Sequence, residues 1–193
     1  QAMSVFELID IERVEILRGP QGTLFGKNSS AGVLNIVTEA PRQTLGGKVE
    51  ASYASLNETK LRGSVTGPLS DTLSARLTGY YTTRDGYVTN VYNGKKLNDQ
   101  NQWGVRGKIL WTPTEATSVT FIGDYSKIDR NCCAPTSISV SPTATGAARL
   151  ALMGPVVPGR DNNQTNIDGL YYLKQDTSGL SVQVDHEIGD HTL

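Results

Sequence analysis

Cysteine, histidine and methionine each occur only twice in the 193 residues, and phenylalanine three times. No apolar run approaches the roughly 18 to 20 residues that a membrane-crossing helix needs. The formal net charge is -1, so the chain lacks the basic excess that phosphate neutralisation requires, and nucleic acid is excluded as a general partner. Thiols and imidazoles are too few and too scattered for a metal centre. Cys132 and Cys133 are adjacent, and His186 and His191 lie more than fifty positions further on. A neighbouring pair in a Pro- and Asn-containing stretch reads as a candidate vicinal disulfide or as two free thiols, not as a disulfide framework. No nucleophile stands with a histidine and carboxylate in a catalytic order, so the chain does not read as an enzyme and calls for no cofactor. Hydrophobic residues make up 37% of the chain, which leaves a modest core.

What is present is alternation. From Gly46 onward six segments repeat one period-two design, which places successive side chains on opposite faces of a strand. Val49, Ala51 and Tyr53 oppose Lys48, Glu50 and Ser52; Leu61, Gly63 and Val65 oppose Lys60, Arg62 and Ser64; Leu73, Ala75, Leu77 and Tyr81 oppose Ser74, Arg76, Thr78 and Tyr80. Trp103, Val105, Ile109 and Trp111, then Val119, Phe121 and Tyr125, then Leu180, Val182, Val184 and Ile188 continue the apolar face. Arg62, Arg76, Arg106, Lys108, Asp124 and Glu187 fall on the other. A soluble antiparallel sheet with one wet face shows the same alternation. Connection lengths discriminate between the two. The second, fourth and sixth (about Pro68 to Thr72, Pro113 to Thr117, and Gly189-Asp190) are tight, whereas the third spans about Asp85 to Asn101 and the fifth about Asp129 to Ser178. Only the first, near Asn57 and Glu58, breaks the short–long rhythm. Short turns on one edge, long loops on the other, strands of about ten residues and aromatic ends predict a transmembrane antiparallel β-barrel. Within the fifth connection the apolar patch Ala147 to Met153 predicts one or two helical turns.

The stretch Ile16 to Thr38, "ILRGPQGTLFGKNSSAGVLNIVT", holds four glycines before a second apolar run and invites a phosphate-loop reading. That reading fails. Gly26-Lys27 is followed by Asn28 instead of a hydroxyl residue, and no glycine stands five positions before Gly26. Ile11 to Leu17 and Gly32 to Thr38 read instead as two buried strands around an irregular glycine-rich connection. Gln1 follows no visible leader and Leu193 follows a fresh turn, so the chain reads as a fragment.

"IERVEILRGPQGTLFGKNSSAGVLNIVTEAP", Ile11 to Pro41, resembles the C-terminal half of the plug domain of TonB-dependent outer-membrane receptors. That family's signature is I-E-R-I-E-V-L-R-G-P followed by G-x-x-A-G-x-I-N-I-V-T-K; Leu34 and Glu39 are minor departures. The resemblance implies a mostly β protein: the end of a mixed α/β plug over residues 1–44, then the first six or so strands of a twenty-two-stranded barrel over 45–193, with a seventh starting at His191. It implies TonB-dependent active transport of a scarce ligand, foremost a ferric siderophore, with cobalamin, haem or a glycan as alternatives. A soluble β-sheet binding module is the reading of a different class. The implied setting is the outer membrane of a Gram-negative bacterium. The implied partners are outer-membrane lipid and TonB of the TonB–ExbB–ExbD complex, reached through a TonB box outside this sequence. Carried onto this sequence, the arginine of the R-G-P turn is Arg18, a candidate latch to acidic barrel residues. Gly19, Pro20, Gly22, Gly26 and Gly32 are turn positions, and Phe25, Lys27 and Asn28 a candidate ligand-facing apex.

Overall fold

The computed structural model describes residues 9–26, 31–169, 171–188 and 191–192; the sixth connection expected at Gly189-Asp190 lies outside them. The chain begins with β1 (Ile11–Arg18), one helical turn α1 (Gly22–Phe25) and β2 (Gly32–Thr38), followed by β3 (Gly46–Ala54), β4 (Glu58–Ser70) and β5 (Leu73–Arg84). It continues through the short strands β6 (Val88–Asn90) and β7 (Lys96–Leu97) to β8 (Gln100–Thr114) and β9 (Thr117–Arg130). Helix α2 (Ala144–Met153), β10 (Gln164–Thr165), β11 (Leu173–Ile188) and β12 (His191–Thr192) complete it. Three sheets result: the β1–β2 hairpin, a small sheet in the order β10–β6–β7, and a seven-stranded antiparallel wall in the order β12–β11–β9–β8–β5–β4–β3.

The register of the wall turns alternation along strands into stripes across them. Leu61 faces Tyr81, which faces Trp103; Gly67 faces Ala75, which faces Ile109, Phe121 and Val182 in turn. Rungs on the opposite face are mainly polar, as in Ser64–Thr78–Arg106–Asp124. Burial follows an inverted rule. The buried side chains of the wall are mostly Thr66, Ser74, Arg76, Thr78, Thr82 and Lys108, while Leu77, Val105, Ile109, Trp111, Phe121 and Leu180 are exposed. A water-soluble sheet hides its apolar face; this one presents it, as a sheet solvated by lipid does. The rings of Trp103 and Tyr125 pack at 5.3 Å near the end of the wall that carries the long connections.

Two expectations are corrected here. Five of the long strands, from β4 to β11, exceed ten residues, running from 12 in β5 to 16 in β11, because the ladder continues past the apolar band into polar sequence. Leu173 to Gly179 pairs with Arg130 to Asp124, and the outward-facing extension is laced by Lys127–Asp176 at 3.7 Å and Lys174–Asp129 at 3.6 Å. Backbone hydrogen bonds do not depend on side-chain polarity, so the fifth connection shrinks to residues 131–172. Within this chain β1 is mostly exposed, with Ile16 at 67%, while β2 is half-buried except at Leu34, 60% exposed; the expectation that both strands are buried is met here only in part, because only the mouth of the two-stranded ribbon meets the wall.

Nor are the two long connections independent loops. β6 pairs in parallel with β10, bringing residues 85–99 and 131–172 together. Val88, Leu97 and Ala134 form a small core with Ile167 against it. Asn90, 1% exposed, donates Nδ2 to the Ile167 carbonyl at 2.9 Å and accepts from the amides of Ile167 and Tyr92 at 3.1 and 3.3 Å. Asn98 does the same one layer away, donating to the Ala134 carbonyl and accepting from the amides of Cys133 and Ala134. Helix α2 covers the predicted Ala147 to Met153 and starts three residues earlier, where Thr143 accepts from the Gly146 amide as an N-cap.

Candidate functional site

The hairpin and the wall meet at Asp10, the residue before β1. Its φ of 59° is left-handed, a conformation that aspartate tolerates better than most side chains. This turn brings its carbonyl to the Glu39 amide at 2.9 Å, closing the mouth of the hairpin. It also aims its carboxylate at the polar face of the wall. Arg76 and Thr78, two apart on β5 and hence on one face, both donate to it. Arg76 Nε lies at 2.6 Å, Arg76 Nη2 reaches the second oxygen, and Thr78 Oγ1 lies at 2.8 Å. The side chains of Arg76 and Asp10 are 5% and 7% exposed. Arg76 Nη2 extends the contact to Ser64 Oγ on β4 at 3.3 Å. Burial pushes the Asp10 carboxyl up, but the hydrogen bonds from Arg76 and Thr78, with the charges of Arg76 and Lys108, outweigh it and hold the group below the usual aspartate range.

The other strand of the hairpin is held one strand further along. Lys108 Nζ on β8 donates to Thr38 O at 2.9 Å, Thr38 Oγ1 at 2.6 Å and Glu39 O at 2.9 Å, satisfying all three of its donors. Beyond it the chain is caught again, where the Arg42 amide donates to Thr66 Oγ1 at 2.9 Å. Thr66, Arg76 and Lys108 are register partners, so one rung across β4, β5 and β8 carries three of the tethers, with Ser64 and Thr78 on the next rung. A polar cleft of about 200 Å³ opens beside it, lined in part by Lys48, Glu50, Arg62 and Ser64. Chemically the arrangement is an anchor: a buried, bidentate, charge-assisted contact strengthened by low local dielectric.

The residues singled out from sequence are spread out. Arg18 ends β1 exposed, with no ion pair among the described residues; its carbonyl accepts from Gln21 Nε2 at 3.3 Å. Gly19 has φ 86°, and at Gly32 a Cβ would fall 2.5 Å from the Leu17 carbonyl oxygen, so the hairpin closes only around a residue without one. Pro20 is exposed, Gly22 sits in α1 with open space where a Cβ would go, and Gly26 has φ 81°. Phe25 ends α1, but its side chain, with Lys27 and Asn28, lies outside the described residues. Cys132 and Cys133 are joined in a vicinal disulfide in the connection between β9 and β11, flanked by Asn131, which Asp99 binds through the backbone amide and Nδ2. Among the described ones, none enters the junction. Sequence reasoning placed Arg76 and Lys108 on the polar face but missed Asp10, Thr38 and Glu39. The available signal was an acidic residue at the mouth of a strand pair followed by a wall with cations at one level.

Comparison with known proteins bears on what the hairpin is. The TonB-dependent receptor plug domain matches residues 1–33. The sequence is 43% identical over 94 residues to the iron-regulated outer membrane virulence protein of Vibrio cholerae, covering 45% of this chain and 14% of that protein. It is 42% identical over 66 residues to the pesticin receptor of Yersinia pestis, covering 34% and 10%. The solved ferric yersiniabactin uptake receptor FyuA of Yersinia pestis superposes with a TM-score of 0.78 at 22% identity over 95% of this chain and 27% of that one. These matches support a fragment of a TonB-dependent receptor. The chain spans 10–18% of the length of the curated relatives it matches. In that frame β1 and β2 belong to a receptor plug, the seven-stranded wall to a transmembrane β-barrel, and the junction at Asp10 is a contact between plug and barrel. Most of these curated relatives are named receptors and the Vibrio cholerae one an outer membrane protein, and receptors of the TonB-dependent kind are not enzymes.

Proposed function

We propose that the receptor of which this chain is a part imports a ferric siderophore across the outer membrane of a Gram-negative bacterium, driven by TonB. The observation that carries the reading is a plug hairpin anchored through a buried Asp10–Arg76 pair to the polar inner face of a sheet whose other face is apolar. A pore open to diffusion has no use for a folded obstruction fixed to its wall. A wall with a lipid-facing side and a charged inside must be filled by water or by such a plug. The names of relatives supply the cargo class: one is a ferric enterobactin receptor of Pseudomonas aeruginosa, 29% identical over 134 residues.

In this reading the plug ends near residue 44 and the barrel begins near 45, with the long connections outside the cell and the two-residue turns in the periplasm. Arg18, solvent-facing in this chain, latches the plug to acidic residues elsewhere in the barrel. The glycines and Pro20 shape the R-G-P turn, and Phe25, Lys27 and Asn28 form an apex open to cargo. TonB, energised through ExbB and ExbD, pulls on the plug, because the outer membrane has no energy source of its own. The test is radio-iron uptake by a receptor-deficient Gram-negative host expressing the full-length protein. Uptake from a ferric siderophore that disappears when TonB is deleted is expected. Uptake of the same size without TonB, or of no ferric chelate at all, overturns the reading.

A further inference from the structure

Asn93–Gly94 is the one Asn-Gly step in the chain, and it lies in the turn between β6 and β7. Both residues are exposed, and Gly94 takes φ 73°, a left-handed value that glycine adopts without steric cost. Asparagine before glycine is the pair most prone to attack itself. The backbone nitrogen of the second residue reaches the side-chain carbonyl carbon of the first, and no Cβ stands in its way. Asn57 and Asn101 are exposed as well, but Glu58 and Gln102 follow them, and a side chain there crowds the same approach. The Asn93 side chain is already folded over the residues that follow it, its Oδ1 accepting from the Lys95 amide at 3.1 Å, a bond that draws electron density from Cγ. The turn resists the attack at one point. The Gly94 amide donates to the Asn90 carbonyl at 2.8 Å, so its nitrogen is free to react only when the turn opens.

What the turn carries is more than a loop tip. The Asn90 amide donates to the Lys95 carbonyl at 2.9 Å, so the span from 90 to 95 is closed by two main-chain bonds to the same residue. The side chain of that residue is the bracket that grips Ile167 of the other long connection through both its amide and its carbonyl. Aspartate in place of Asn93 would leave this span alone, because a carboxylate oxygen accepts from the Lys95 amide as the present oxygen does. Isoaspartate would not. It routes the main chain through the side-chain methylene and adds one backbone atom between Asn90 and Lys95, and the two closing bonds no longer fit the same span.

We propose that Asn93 is a site of spontaneous covalent modification, deamidating to aspartate and isoaspartate, and that the isoaspartate form releases the Asn90 bracket between the two long connections. The reaction needs water alone. The Gly94 nitrogen bonds to Asn93 Cγ, the Cγ–Nδ2 bond breaks, and ammonia leaves with the proton of the Gly94 amide. Water then opens the cyclic imide at either carbonyl. Nothing in this chemistry draws on the transport reading. The test ages the detergent-solubilised full-length receptor in mildly alkaline buffer and maps its peptides by mass spectrometry, with an unaged sample digested in parallel. Expected is isoaspartate at 93 and none at Asn57 or Asn101. Limited proteolysis of the aged receptor should give new cuts in residues 85–99 and 131–172. Asn93→Gln, whose longer side chain disfavours ring closure, should show neither change, and its thermal unfolding, matched to the parent's, confirms that the variant folds. Asn90→Ala should speed the modification roughly tenfold, because losing the bracket lets the turn open more often. An aged, folded receptor without isoaspartate at 93 overturns the site. Aged parent and aged Asn93→Gln cut alike, or a rate in Asn90→Ala equal to the parent's, overturns the link to the bracket.

Discussion

Two polar clusters hold this molecule together at opposite ends of the same wall, and they are built differently. At the plug junction the contacts are ionic, Asp10 to Arg76 and Lys108 to the carbonyls of Thr38 and Glu39. In the body made by the long connections they are amide networks, Asn90 with Ile167 and Tyr92, and Asn98 with Cys133 and Ala134. Both are buried, so breaking either leaves unsatisfied groups. Only the first depends on charge. A joint made of ions responds to pH and to loss of a partner far more sharply than one made of neutral amides, and the two ends of the barrel therefore differ in what can loosen them.

The largest break should come from Asp10→Ala, which strands Arg76 in a buried position. We expect about 3 to 5 kcal/mol lost from docking of the hairpin, seen as faster hydrogen exchange in β1 and β2 of the full-length receptor with β8 and β9 unchanged. Acid sharpens the same comparison. The Asp10 carboxyl is held below the usual aspartate value, so its contribution is complete above the unfolded value of about 3.9 and disappears as pH falls through the lower folded one. Hairpin protection should therefore fail at a pH where the loop body is intact, and simultaneous loss of both would contradict the assignment. Asn90→Ala should cost about 1 to 3 kcal/mol by orphaning the Ile167 and Tyr92 amides, read as new proteolytic cuts in residues 85–99 and 131–172 while the hairpin stays docked. Reduction of Cys132–Cys133 should change less, because Asn98 holds Ala134 through both its amide and its carbonyl; limited proteolysis before and after reductant checks this. Arg13→Ala, which removes solvent-exposed contacts to Glu12 and Glu15, should leave thermal unfolding of the receptor within error.

The wall was legible in sequence because a period of two is written residue by residue. Val49 to Tyr53, Leu73 to Tyr81 and Trp103 to Trp111 each announce their faces without reference to any partner. The polar continuation Leu173 to Gly179 was not legible, since Lys174, Gln175, Asp176 and Ser178 carry no strand preference, Thr177 is isolated among them, and the segment pairs only because β9 is there to receive it. The short strands β6, β7 and β10 were hidden for a related reason: two or three residues hold no periodicity, and the β6–β10 pairing is set by contacts across more than seventy positions. The candidate site fell between these cases. Arg76 and Lys108 were assigned to the correct face, yet their partners sit 66 to 70 residues away, and an acidic residue at a strand mouth looks like any other until the register is known.

Alternation alone has a blind spot that the Thr66–Arg76–Lys108 rung removes. A one-residue slip between neighbouring strands turns apolar side chains inward and is rejected by the membrane; a two-residue slip returns every side chain to its proper face and passes unnoticed. Displacing β4, β5 or β8 by two positions would carry Thr66, Arg76 or Lys108 away from its partner on the hairpin or on the segment that follows it. The plug hairpin thus proofreads the barrel: it seats fully only when three strands have found the same alignment.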